Sequence, residues 1–355
     1  MVIVDAQQNI AFNAQQLGLD YTRWAWHQRH YASEADGPPA VVSLRDNMLG
    51  RVAIVFGSLQ VLSESAPGLQ AWQRHTYRTA ADARQLALWQ MDTYRRLADD
   101  HDKVRLILTR DDLDDVLESW REDESIDKRL HGIVVKMKGA EPVSEPRQLE
   151  DWLEYGVRIV APAWHQTRYA GSARSDGGLT LLGYELLEVM AGFQLLLDVS
   201  ALSDQATAEA LERYEGAIIA SHSNPRYFCQ SSRCLPDALI RRLAERDGVM
   251  GIMVYNRFLR NDWHPADRKR QVNLAHWVDA VDYVCQLTGS VAHVGLGSDI
   301  DGGYPYRALP SEIDTSCDLW LLRRSLLERG FSEMESAAIL GGNMLRKLKE
   351  CLPDG

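Results

Sequence analysis

Between Gly132 and Gly139 the chain reads Gly-Ile-Val-Val-Lys-Met-Lys-Gly, a β-branched run bounded by glycines that predicts a short buried strand from Ile133 to Lys138. Side chains alternate along a strand, so Lys136 and Lys138 share a face at its C-terminal end. The chain holds seven lysines against thirty-two arginines, and two of the seven stand here. An ammonium at the end of an apolar strand either snorkels to solvent or has a partner and a task. Other apolar runs also end on polar groups: Gln7 and Asn9 after the first, then Trp164 and His165, His222 after Ala-Ile-Ile-Ala-Ser, Asn256, and Asp299 after Val-Gly-Leu-Gly-Ser. Lys138, His222 and Asp299 supply an amine, an imidazole and a carboxylate. Such a set can move protons or, with the amine neutral, attack a carbonyl. Each residue alone has a plain structural explanation, since a buried His can be satisfied by hydrogen bonds and an Asp can cap a helix.

The elements that must bring them together read as an alternation. Strand-like runs at Val2–Asp5, Arg51–Leu59, Val104–Thr109, Ile133–Lys138, Val157–Ala163, Phe193–Ser200, Ala217–Ser221, Val249–Tyr255 and His293–Ser298 are separated by helical patterns. The helices are expected at Ala71–Asp100, Asp112–Glu122, Glu145–Tyr155, Leu179–Ala191, Ser203–Tyr214, Pro236–Arg246 and Leu274–Leu287, with closing helices across 311–352. About eight βα units predict an α/β protein of the (β/α)8 TIM-barrel class, residues 1–355 forming one domain. In that architecture the chemistry lies at the C-terminal ends of the strands, where the polar groups stand. Residues 19–34, carrying Trp24, Trp26, His27, His30 and Tyr31, read as an aromatic-rich insertion that packs or walls a pocket.

Apolar residues make up 45% of the 355 and charged residues 25%, enough for a large core. A formal charge of −11 argues against nucleic acid or an anionic membrane as partner. Five cysteines without a CxxC pair suggest neither a disulfide framework nor a thiolate zinc site. With no leader-like start and no run as long as a membrane span, a cytoplasmic protein is expected.

Seven segments carry a resemblance: Asp5-Ala-Gln-Gln-Asn9, Ile159 to Gly171, Leu197-Asp-Val-Ser200, Ser221-His-Ser-Asn224, Tyr255-Asn-Arg-Phe258, Gly297-Ser-Asp-Ile-Asp-Gly302 and Gly341-Gly-Asn343. In collinear order over essentially the whole chain, they resemble the membrane dipeptidase (renal dipeptidase) family of zinc peptidases. The resemblance implies a metallo-dependent-hydrolase-like barrel, a homodimer, and two zinc ions held by a His-x-Asp pair, a bridging Glu and two later histidines. At those positions this chain has Gln7, Asn9, Lys138 and Ala201, and only His222 matches. It also implies that Asp299 assists a metal-bound water, that Arg233 binds the substrate carboxylate, and that Trp164, with His165 beside it, stands where a substrate-contacting His is expected. Neutral amides are poor zinc donors and a lysine is a worse one, so no cofactor is expected here. Lys138 and Asp299 cancel to neutrality without a metal, which predicts that they pair. If buried, breaking that pair costs roughly 3 to 5 kcal/mol.

Four functions compete. The first is a pseudo-peptidase that binds a small carboxylate-bearing, peptide- or amino-acid-like molecule through Arg233. The second is an enzyme with metal-free chemistry on Lys138, His222 and Asp299. A residual dipeptidase using a single metal on His222 and Asp299 is the third, and a plugged barrel with a structural role the fourth.

Overall fold

The computed structural model describes residues 1–31, 37–122, 124–165 and 167–355. Eight parallel strands run around a nearly closed barrel in the order β1 (Ile3–Gln8), β2 (Val52–Gln60), β4 (His131–Lys138), β5 (Val157–Ala161), β8 (Leu196–Asp198), β9 (Ile218–Ser223), β10 (Val249–Ile252) and β11 (Val294–Leu296). The short β3 (Val104–Leu106) pairs with β4 outside that path. The expected strand to Thr109 stops early because Thr109 and Asp112 form a capping box that starts the helix Arg110–Glu118. Every residue of β1, β2 and β4 is buried, which is why Val52–Phe56 and Ile133–Val135 read as unbroken apolar runs, while the polar ends of these strands turn into the barrel.

Helices cover the outside, and capping chemistry sets their limits. The helix expected from Ala71 begins at Ala80, where the Thr79 hydroxyl and the Asp82 carboxylate exchange hydrogen bonds with the backbone. The closing segment is a 3-10 turn Ser316–Trp320, the helix Leu321–Arg329, and a run from Glu333 to Cys351 interrupted by a π-turn at Ala338–Gly342. Among the described residues no helix is long and apolar enough to cross a membrane.

Three features depart from expectation. A hairpin, β6 (Ala170–Ser172) with β7 (Ser175–Leu179), follows β5. It needs Gly171, where a Cβ would come within 2.2 Å of the Gly177 carbonyl. The aromatic insertion forms the helix Ala25–Tyr31, which buries only Ala25 and leaves Trp26 57% and Tyr31 76% exposed. Those two rings are therefore surface and not pocket wall, whereas the half-buried Trp24 borders a shallow hollow with Leu44, Arg45 and Met48; positions 32–34 of that insertion lie outside the described residues. Finally, Cys229 and Cys234 are joined by a disulfide that the cysteine pattern did not suggest. A tight turn, in which Cys234 N–H donates to Ser231 and Ser231 N–H to Cys229, brings the two thiols together.

Candidate functional site

Lys136 and Lys138 point into the barrel and do not snorkel, being 0% and 2% exposed. Lys136 Nζ donates to Asp198 Oδ2 at 3.0 Å and to Ser221 Oγ at 2.6 Å. Burial alone raises the Asp198 pKa, but the Lys136 charge and the Ser200 and Ser221 hydroxyls outweigh it and hold the carboxyl below its ordinary value. The Ser221 hydroxyl donates to Asp198 Oδ2 at 2.5 Å, so toward His222 Nδ1, 2.8 Å away, it can only accept. The network thus assigns the His222 proton to Nδ1 and leaves Nε2 with its lone pair. Nε2 is buried and has no partner among the described residues. Burial first, then Lys136, Lys138 and Arg233, holds His222 well below the ordinary imidazole range, so it is neutral.

One layer outward, Lys138 Nζ lies 3.1 Å from Asn9 Oδ1 and 3.3 Å from Asp299 Oδ1. Asn9 is the hub. Its Oδ1 also accepts from Gln7 Nε2 at 2.8 Å and Ser58 Oγ at 3.0 Å, while its Nδ2 donates to Asp299 Oδ1 at 2.9 Å and Asp301 Oδ1 at 3.1 Å. Asp299 is set by a left-handed backbone, φ 44°, uncommon for a residue with a Cβ. Burial lowers the Lys138 pKa to about 8, further helped by Lys136 and Arg233 and opposed by Asp299. Burial, reinforced by Asp299 and Asp5, raises Asp301 to about 7.

Trp164, in the loop after β5, closes this layer. Its ring centre is 4.0 Å from Lys138 Nζ, 4.9 Å from Arg233 Cζ and 5.8 Å from Arg174 Cζ, and it stacks on His222 at 5.9 Å. Cations over an indole face are attracted by its quadrupole. Arg233 donates to the Ser200 carbonyl, and its Nη2 is buried without a partner among the described residues. His165 Nε2 faces Arg174 Nη1 at 3.2 Å, and burial followed by Arg174, Lys138 and Arg233 takes its pKa down to about 4. Asn256 turns away and donates to the Leu309 carbonyl. Ala201 is buried, and its carbonyl accepts from Ala173 at the hairpin turn.

Beyond the indole lies a cavity of about 180 Å³ bordered by Asn9, Gln60, Trp72, Trp164, His165 and Arg174, among others. Lys138, His222, Arg233 and Asp299 lie behind Trp164 and do not border it. A larger hollow of about 1350 Å³, near Arg213, Arg246 and Lys347, opens at the opposite end of the barrel, away from these groups. Among the described residues no group of three or more His, Cys, Asp and Glu side chains is placed to hold a metal ion. Asp301 stands in the Gly-Ser-Asp-Ile-Asp-Gly segment but two residues beyond the strand-end Asp299, so its place in the sequence did not mark it. Arg174 carried no sequence signal at all.

Comparison with known proteins places these residues in a lineage. An uncharacterized protein in the pqqA 5' region of Klebsiella pneumoniae is 29% identical over 257 residues, covering 70% of this chain and 89% of that protein. Dipeptidase aclJ of Aspergillus oryzae is 31% identical over 200 residues, covering 55% of this chain and 45% of that protein, so the match spans less than half of its length. An uncharacterized dipeptidase of Schizosaccharomyces pombe is 27% identical, with 62% of this chain and 54% of that protein covered. In fold, the chain is similar to a metallo peptidase from Rhodobacter sphaeroides liganded with a phosphinate mimic of the dipeptide L-Ala-D-Ala, with a TM-score of 0.80, 19% identity and 99% of each chain covered. It is also similar to the probable dipeptidase PvdM from Pseudomonas aeruginosa, with a TM-score of 0.77, 19% identity and 99% and 95% of the two chains covered. The family model for membrane dipeptidase, peptidase family M19, matches residues 4–352, and the chain belongs to that family.

Proposed function

We propose that this member of a dipeptidase family binds a small carboxylate-bearing molecule at the barrel mouth and has lost zinc-dependent hydrolysis. The observation that carries the reading is the Lys138 ammonium, held by Asn9 and Asp299 at the position where the resemblance expects a metal-bridging carboxylate. Membership in a metallopeptidase family argues for zinc, but the donor set does not fit it. Gln7 and Asn9 are neutral amides already bonded to each other, Ala201 offers no donor, and His222 Nε2 is the one free imidazole nitrogen among the five positions. A divalent ion about 4 Å from a protonated Lys138 would be repelled by about 8 kcal/mol at an effective dielectric constant of about 20. Arg233 and Arg174 have no carboxylate partner among the described residues, and this excess of positive charge supports an anionic ligand.

The test is elemental analysis of the purified protein together with an Ala-Ala hydrolysis assay, with and without added zinc. Substoichiometric metal and no hydrolysis are expected. Stoichiometric zinc with dipeptide cleavage overturns the proposal.

One observation favours a second reading, metal-free catalysis. With its pKa near 8, Lys138 is partly neutral at slightly alkaline pH, and a neutral His222 stacks on the same indole. Borohydride reduction in the presence of pyruvate or glyoxylate, followed by mass spectrometry, decides it: an adduct on Lys138 establishes the amine as a nucleophile, and its absence leaves the binding reading.

A further inference from the structure

We infer that the ligand occupies the chamber on the solvent side of Trp164, and that it is an amino-acid-sized acid without a free ammonium group, held by Arg174. The inference rests on the reading above that a carboxylate-bearing molecule binds at the barrel mouth; it changes where that molecule sits and narrows what it is.

Space sets the size. A dry cavity of about 150 Å³ accommodates benzene, so the 180 Å³ here admits about six to ten non-hydrogen atoms. That is one acylated amino acid, and less than a dipeptide with side chains.

Charge sets the anion. Arg174 stands at the turn of the β6–β7 hairpin and borders the chamber. Its one polar partner among the described residues is His165 Nε2, which a neutral imidazole offers as an acceptor and which uses a single guanidinium N–H. The remaining N–H groups are available for bidentate capture of a carboxylate. The hairpin is anchored from below, because Ser232 Oγ donates to the Ala173 carbonyl and Ala173 N–H donates to Ala201. Arg233, the receptor that the family resemblance implies, lies behind the indole.

The exclusion of an ammonium follows from the carboxylates. Asp301 borders the chamber, but its Oδ1 accepts from Asn9 N–H at 2.9 Å and Asn9 Nδ2 at 3.1 Å, and its Oδ2 from Asn9 N–H at 2.8 Å and Asn13 Nδ2 at 3.1 Å. Asp299, whose Oδ1 is taken by Lys138 and Asn9, lies behind Trp164 and does not border the chamber. A ligand ammonium would thus find no open carboxylate among the described residues of the chamber wall while facing Arg174. The Gln60 side-chain amide, by contrast, borders the chamber with no partner among the described residues and suits an acyl amide. Trp72 and Trp164 supply flat apolar walls.

Isothermal titration of the full chain with N-acetylglycine, glycine and Ala-Ala tests this, alongside Arg174→Gln, Arg174→Lys and Arg233→Gln, each first shown to be folded by its melting curve. N-acetylglycine is expected to bind about tenfold or more tighter than either zwitterion. Arg174→Gln should weaken it by about tenfold or more, and by more than Arg233→Gln does, with Arg174→Lys recovering part of the loss. If Arg233→Gln is the more damaging change, the carboxylate sits behind the indole and this inference falls while the carboxylate-binding reading stands. Equal or tighter binding of glycine or Ala-Ala overturns the ligand class. No binding by any of the three overturns the inference, whereas the metal analysis decides the loss of zinc chemistry separately.

Discussion

Lys138 is gripped by an amide oxygen, a carboxylate and an aromatic face within 4.0 Å, and that set of contacts offsets part of the desolvation of a charge held so deep. Replacing it by Met keeps the bulk and removes the charge, leaving Asp299 buried beside amides alone. We expect Lys138→Met to lose roughly 3 to 5 kcal/mol of stability at pH 7 in urea unfolding, and Lys138→Met with Asp299→Asn to lose less than either single change implies. The pH dependence has a definite sign. Folding lowers the lysine pKa from 10.5 to about 8, so the unfolded chain binds more protons between those values. Stability of the wild type relative to Lys138→Met should therefore rise from pH 8 to 10.5, by up to about 3 kcal/mol. A flat difference across that window would show that burial does not perturb this amine. At this scale the sequence was partly legible. Strand alternation put both lysines on one face, yet nothing local distinguished Lys136, which serves Asp198, from Lys138, which serves Asp299.

The elements hold these side chains through their ends. At the start of β4, His131 Nδ1 meets the Val52 carbonyl at 3.0 Å and Nε2 meets Tyr21 Oη at 2.8 Å, tying β4 to β2 and to the segment before the helix Ala25–Tyr31. Burial takes this imidazole down to about 4. A base whose pKa falls on folding contributes stability that is complete above its unfolded value of 6.5 and is lost as pH drops toward 4. His131→Gln should erase that acid-side slope, by up to about 3 kcal/mol, when urea unfolding of variant and wild type is compared between pH 6.5 and 4. Close backbone approach matters as much as side chains do. A Cβ on Gly297 would sit 1.7 Å from the Ser221 carbonyl, a backbone atom that cannot rotate away. Gly297→Ala is expected to express as insoluble or cost more than about 4 kcal/mol, read by soluble yield and melting temperature. Periodicity located most helices and strands, whereas the β6–β7 hairpin escaped it. Its residues, Ser-Asp-Gly-Gly-Leu among them, have neither a strand nor a helix period.

Across the whole molecule the barrel is finished by side chains at the seam between β11 and β1. Asp299 N–H donates to the Gln7 carbonyl at 3.2 Å, and Asp5 accepts from Ser298 N–H at 2.7 Å and Ser298 Oγ at 2.5 Å, with Gln8 Nε2 at 3.0 Å. Removing that carboxylate leaves several buried donors without a partner, at about 1 to 3 kcal/mol for each. Asp5→Ala should lower stability by about 3 kcal/mol or more, and hydrogen exchange should show protection falling first in Ile3–Gln8 and Val294–Leu296. Uniform loss over all strands would mean that the seam is not a separate unit. By itself the amino-acid order determined the alternation of strands and helices, the (β/α)8 class, and the family, because these depend on local periodicity and on short collinear motifs. The tertiary structure alone decided that Trp164 caps Lys138, that Arg174 faces the open chamber while Arg233 lies behind the indole, and that Cys229 meets Cys234. Those contacts join residues from different βα units or across a loop turn, and their geometry exists only once the sheet has curled and closed.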